Sequence, residues 1–200
     1  MPWQKFLRDA LILWATIDPI STLLIFISLT SRQDSAARRR TALRAVVMAG
    51  AVLLGSAVAG QFILVGMGIS MLAFQVAGGV VLFLFALQLI FGNINASAPQ
   101  QDMDEFDPAV YPLAFPSIAT PGAILAMIVL TDNHLYSLDT QVVTVAIAMA
   151  ILLITYVLIR RAQKALSLIS EGGAELLVRL MGLLLASLSV QLILDAVRLY

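Results

Sequence analysis

Six apolar stretches constrain this chain most, because each is about as long as a helix must be to cross a hydrocarbon layer roughly 30 Å thick, which takes about 20 residues. They cover residues 10–29, 45–64, 69–91, 112–130, 142–159 and 176–196. A backbone in hydrocarbon must satisfy its own hydrogen bonds, and none of these runs shows the polar–apolar alternation of a barrel strand, so each reads as a helix. Composition agrees: 60% of the 200 residues are hydrophobic, 12% are charged, and the mean hydropathy is +0.96. A soluble domain of this size needs more polar surface. Lys5 and Arg8 precede the first stretch, yet Asp18 interrupts it and no small-residue cleavage site follows, so it reads as a first span and not a signal peptide. The expected fold class is an all-α integral membrane protein with six transmembrane helices.

Charge placement predicts an orientation. Alternate sides of the six-span arrangement carry Lys5, Arg8 and Arg198 on one, and Arg32, Arg38, Arg39, Arg40, Arg44, Arg160, Arg161, Lys164 and Arg179 on the other. By the positive-inside rule both termini face the periplasm and the basic loops the cytoplasm. The acidic run Asp102, Asp104, Glu105 and Asp107 then falls in a cytoplasmic linker, residues 92–111, and reads as a solvated loop. Arg38, Arg39 and Arg40 read as a topology determinant, with anionic headgroups as the other use. Twelve basic and twelve acidic residues give no net charge to attract nucleic acid, and without cysteine there is no disulfide, thiolate metal site or thiol nucleophile. No cofactor or metal is expected.

The two halves match each other at an offset of 102 or 103 residues. Pro19 corresponds to Pro121, Gly79 to Gly182, and Gln88-Leu89-Ile90 to Gln191-Leu192-Ile193. Several matches at nearly one offset predict a duplication, with residues 1–91 and 112–200 as three-helix repeats. An odd number of spans inverts the second copy, an arrangement recurrent in secondary transporters, whose solute site lies near the midplane.

Both copies carry a break in mid-span. The first runs Thr16-Ile17-Asp18-Pro19-Ile20-Ser21 and the fourth Ala119-Thr120-Pro121-Gly122-Ala123. Proline lacks a backbone donor and clashes with the preceding turn, so helices 1 and 4 should break before it and restart with proline in the first position, capped by Asp18 and Thr120. Pro116 adds to the irregularity of the fourth span. Each restarted half-helix would turn unsatisfied N–H groups and a positive dipole end toward the membrane centre, favouring a carboxylate. Asp18, whose insertion at bilayer depth costs on the order of 3 kcal/mol, could bind a substrate ammonium, carry a coupling proton, or only cap the half-helix behind it. The candidate substrate-binding residues are Asp18, Pro19, Ser21, Thr120, Pro121 and Gly122, with Asp18 as proton carrier.

The remaining candidates have plainer readings. Gln75, Gln88 and Gln191 suit hydrogen bonds between helices. Ala51, Gly55 and Ala59, the pair Ser56 and Gly60, and Gly78-Gly79 suit close helix packing, and permit a homodimer without demanding one. His134 beside Asp132 makes a poor metal site and reads as a surface residue. Near the ends of the last span Arg179 snorkels or pairs, and Asp195 and Arg198 form an i,i+3 pair.

Asp18-Pro19-Ile20, the run Ala73-Phe74-Gln75-Val76-Ala77-Gly78-Gly79, Tyr111-Pro112-Leu113-Ala114-Phe115-Pro116 with Pro121-Gly122-Ala123-Ile124, and the closing Arg179-Leu180-Met181-Gly182-Leu183 with Gln191 together resemble the MarC family of bacterial inner-membrane proteins. The resemblance covers almost the whole chain. Where that family usually has Gly-Asn after Asp-Pro-Ile, this chain has Ser21-Thr22, and where it has Ala-Gly before proline, this chain has Ala119-Thr120. The resemblance implies a six-span protein of the bacterial cytoplasmic membrane related to small-solute exporters of the lysine-exporter type, some of whose relatives are described as neutral amino-acid transporters.

The reading that follows is a secondary transporter of a small polar metabolite, a neutral amino acid being the candidate, embedded in membrane lipid and driven by protons through Asp18. The alternative is a membrane scaffold or regulatory subunit that transports nothing. An intramembrane enzyme would need at least two positioned catalytic groups, and Asp18 alone lies deep in a span.

Overall fold

The structure is a computed structural model that describes residues 2–31, 33–92, 107–161 and 171–198. Among these residues it is all-helical. The helices, in chain order, are α1 (Pro2–Ile17), α2 (Pro19–Leu29), α3 (Ser35–Gly66), α4 (Met71–Phe91), α5 (Ala109–Ile118), α6 (Pro121–Leu130), α7 (Leu138–Arg160) and α8 (Glu171–Arg198). By length and apolarity five segments can cross a membrane, taking α1 and α2 as one, and six when α5 and α6, bent by 54°, count as a further one. Asp102, Asp104 and Glu105 of the acidic linker, with Arg32 and Lys164, lie outside the described residues.

Helix ends follow local chemistry. Asp34 caps α3 by accepting from the Ala37 amide at 2.7 Å. No breaker intervenes before Gly68, whose φ of 69° ends α3 by returning its amide to the Val65 carbonyl. The helix is therefore 32 residues long, well beyond the apolar stretch 45–64. Its basic first turns are put to use: Arg38 donates to the carbonyls of Thr30 (2.8 Å) and Ser31 (3.0 Å), satisfying the chain as it leaves α2. Ser70 caps α4 through the Ala73 amide at 3.1 Å. In α5, Tyr111 and Phe115 are extended (φ −128° and −137°), as residues before proline tend to be, and Pro112 and Pro116 follow them. The fourth apolar segment starts at Ala109, inside what the sequence suggested was linker.

Two apolar clusters hold the bundle. The larger joins Leu13 and Ile17 of α1, Leu53 of α3, Leu113 and Ile118 of α5, Met127 of α6 and Leu152 of α7. The smaller joins Leu82 and Ala86 of α4 to Leu185 and Leu192 of α8, with Leu125 of α6. Glycines let α4 and α8 approach. A Cβ on Gly79 would stand 2.6 Å from Ile193 Cγ1, and one on Gly182 would stand 2.9 Å from both Ile90 Cγ1 and Leu89 Cβ. Gly60 and Gly78 likewise back onto Ile128 and Leu125. The expectation of close packing fails at Gly55, where an added Cβ would meet nothing within 4 Å beyond its own helix, so that part of α3 faces outward. Val58 and Phe62, each 71% exposed, share the surroundings of a helix that meets lipid.

Two further expectations are corrected. Asp195 pairs with Arg8 of α1 at 3.6 Å instead of Arg198, and Gln191 donates to Asp195 at 2.6 Å within α8 instead of reaching another helix. Asp132 lies in the loop after α6. It is buried and accepts from Gln61 Nε2 of α3 at 2.7 Å and from the His134 amide at 2.8 Å, while Gln61 Oε1 accepts the Asn133 amide at 3.2 Å. His134 itself is exposed. Gln61→Leu leaves the buried carboxylate without its side-chain donor, so it should destabilise the fold by about 1–3 kcal/mol in reversible denaturation in detergent, with Gln61→Glu costing more by adding like charge.

Candidate functional site

Between Ile17 and Pro19 the chain turns at Asp18, which adopts the left-handed conformation (φ 47°, ψ 71°) open to Asp at modest strain. α2 then restarts with Pro19 in its first turn. Asp18 Oδ1 caps it by accepting the Ser21 amide at 3.2 Å, and the Asp18 carbonyl accepts the Thr22 amide at 3.1 Å. In the same way α6 starts at Pro121, capped by Thr120 Oγ1 from the Ala123 amide at 2.9 Å. The sequence assigned both caps correctly.

The two turns are joined directly. Interruption of α1 deprives the Thr16 carbonyl of its helical partner four residues on, and the Thr120 hydroxyl donates to it at 2.7 Å. Six residues later Thr22 Oγ1 donates to the Ser117 carbonyl at 3.2 Å, and Ser117 Oγ lies 3.3 Å from Thr22 Oγ1. Thr120 and Thr22 are fully buried, and Ile17, Ile118, Ala119 and Ala123 around them are equally closed. The space between the two turns is closely packed.

Within it Asp18 Oδ2, at the cap of α2, and Ser21 Oγ, in its first turn, are buried side by side and make no hydrogen bond to another helix. A buried carboxylate oxygen and hydroxyl without such partners are costly in hydrocarbon, so this corner can accept a proton, an ammonium or a hydroxyl. Of the six residues selected from sequence, Asp18, Ser21 and Thr120 contribute polar atoms here, and Pro19 and Pro121 set the half-helix starts. Gly122 does something else: a Cβ there would run into Leu82 of α4, so its smallness serves helix contact. Thr16, Thr22 and Ser117 were missed. Each looks like an ordinary small residue until its partner, about a hundred positions away, is known.

A second polar cluster lies at the N-terminal end of α1. Asp9 is buried, pairs with Lys5 and accepts from the Thr144 hydroxyl of α7 at 2.6 Å; Lys5 Nζ also reaches Thr144 Oγ1 at 3.1 Å and stands 4.1 Å above the Tyr136 ring. Asp9 Oδ1 has no partner. In the adjoining loop burial pushes the Tyr136 hydroxyl above the usual phenol value, Arg8 draws it down, and Asp9 and Asp132 push it up again. Thr144→Val should take from Asp9 Oδ2 one of its two donors, leaving Lys5 alone on it, and lower stability by about 1 kcal/mol, read as a drop in the melting temperature of purified protein.

Comparison with known proteins gives a consistent picture. The family model described as MarC family integral membrane protein matches residues 3–200. The chain is 33% identical over 202 residues to UPF0056 membrane protein MJ1677 of Methanocaldococcus jannaschii, covering 99% of this chain and 98% of the relative. It is 28% identical over 197 residues to UPF0056 inner membrane protein YhgN of Escherichia coli, covering 98% of each. No solved structure matches.

Proposed function

Since the chain belongs to the MarC family of integral membrane proteins, we propose that it is a secondary transporter of a small polar metabolite, of which a neutral amino acid is the candidate, bound between the Asp18-Pro19 and Thr120-Pro121 turns. The observation that carries this reading is the buried pair Asp18 Oδ2 and Ser21 Oγ, which bond to no other helix, held at the start of one half-helix while Thr120 ties the start of the other to the Thr16 carbonyl. A zwitterion suits such a place. Its ammonium would meet Asp18 and its carboxylate the half-helix amides.

Two inverted three-helix repeats, residues 1–91 and 112–200, with broken helices 1 and 4, form the architecture of this proposal. Reciprocal contacts support it: Gly79 meets Ile193 while Gly182 meets Ile90, and the offset that carries 79 to 182 carries 90 to 193. Capping repeats as well. Thr30 donates to the Phe26 carbonyl at 2.7 Å after α2, and Thr131 to the Met127 carbonyl at 2.6 Å after α6. Because the corner at Asp18 is closed, solute would enter only when the halves part, and Asp18 would take up the coupling proton at that moment. The excess of Lys and Arg in the loops after α2 and α7 favours both termini on the periplasmic side of a bacterial inner membrane.

Uptake and efflux of a labelled panel of neutral amino acids in proteoliposomes, with and without a pH gradient, tests the reading. Saturable flux that follows the gradient is expected. No flux of any panel member in either direction would remove the amino-acid assignment and favour the scaffold alternative.

A further inference from the structure

We propose that the groove between α1 and α8 is a binding site for a phospholipid whose headgroup carries a primary amine. The groove has a volume of about 580 Å³ and is lined by the polar side chains of Arg8, Gln191 and Asp195 together with the apolar ones of Leu11, Ile12 and Leu188. Depth places the polar side chains among headgroups. From Trp3 to Leu29 the chain has 27 residues, about 40 Å as helix, which exceeds a hydrocarbon layer of about 30 Å by roughly two turns. With Leu29 at one boundary, the residues up to Asp9 emerge at the other, and Asp195 sits three residues before the end of α8 at the same level.

Charge selects the occupant. Arg8 and Asp195 are 3.6 Å apart with side chains 61% and 37% exposed, a surface pair of the kind that contributes little to stability. Both are free to exchange that contact for a ligand. A guanidinium is suited to a phosphodiester, and a carboxylate already oriented by the Gln191 amide accepts hydrogen bonds from a primary ammonium. A trimethylammonium donates none. The groove therefore distinguishes phosphatidylethanolamine from phosphatidylcholine with the same acyl chains, and this holds whether or not the protein transports anything.

Lipid retention by the purified full chain, measured by native mass spectrometry after delipidation and addition of either lipid, tests the site. Wild type should retain phosphatidylethanolamine about tenfold better than phosphatidylcholine, Asp195→Asn should erase that preference, and Arg8→Gln should weaken both about tenfold. Leu188→Trp, which fills the apolar wall, should reduce retention of both lipids. Should Asp195→Asn fail to fold, Asp195→Ser removes the same charge in a smaller side chain. Equal retention of the two lipids by wild type, a preference that survives loss of the Asp195 carboxylate in a folded variant, or a second copy of the chain held in place of lipid would overturn the proposal.

Discussion

Asp18→Asn is expected to reduce gradient-driven flux by roughly 30-fold or more while leaving the protein folded, because removing one partner of a buried charged contact costs about 2–5 kcal/mol and about 1.4 kcal/mol is tenfold. The substitution separates the two roles of this residue. Asparagine caps helices as well as aspartate and tolerates the left-handed conformation that Asp18 adopts at φ 47°. It also keeps an oxygen for the Ser21 amide, which Asp18 Oδ1 accepts at 3.2 Å. What it lacks is the charge and proton on Oδ2, the atom that bonds to no other helix. Asp18→Ala removes the cap as well and should lower stability by about 1 kcal/mol on top of the transport defect. Full flux in Asp18→Asn with loss only in Asp18→Ala would reduce Asp18 to a cap.

The elements of the fold and of the candidate site were legible in the sequence to different depths, for physical reasons. The spans could be read because hydrocarbon demands a minimum run of apolar residues, and each stretch marked at first sight lies within a helical segment or bent pair of the structure, except Ile69 and Ser70, which precede α4. Helix starts at Pro19 and Pro121 were legible because proline and its capping neighbour act within four residues. Helix length beyond the apolar stretch was not: Arg38–Arg40 look like a loop by hydropathy, yet nothing between Asp34 and Gly66 ends a helix. Buried polar partnerships were the least accessible. Asp9 resembles an ordinary headgroup acid, and its burial depends on Thr144, 135 residues away. The local alternative misled at Asp195, where an i,i+3 partner in Arg198 is available in sequence and Arg8 of another helix occupies the place. The same long-range character hides Thr16, Thr22 and Ser117, whose value to the site comes from carbonyls that the interruptions expose.

The second large effect concerns the α4–α8 contact, where Gly182→Ala and Gly79→Ala, set against Gly55→Ala on α3, should rank in a definite order. Gly182→Ala places a methyl 2.9 Å from Leu89 Cβ and 3.1 Å from the Ala86 carbonyl oxygen, atoms fixed to the backbone of α4, so the helices must separate. Overpacking of this kind costs about 1–3 kcal/mol, and Gly182→Leu should prevent α8 from docking. Gly79→Ala meets Ile193 Cγ1 at 2.6 Å, the branch of a side chain, with the Ser189 carbonyl at 3.1 Å. Trimming the obstacle should therefore recover part of the loss: the double variant Gly79→Ala with Ile193→Ala should be more stable than the sum of its single effects, whereas Ile90→Ala should rescue Gly182→Ala little because Leu89 Cβ remains. Gly55→Ala, open on all sides within 4 Å, should be neutral or stabilising by up to about 1 kcal/mol through helix propensity. Melting temperatures of the purified variants in one detergent decide the matter. If Gly182→Ala melts with wild type, the glycine is not what brings these helices together, and the reciprocal contacts that favour an inverted repeat lose their energetic basis.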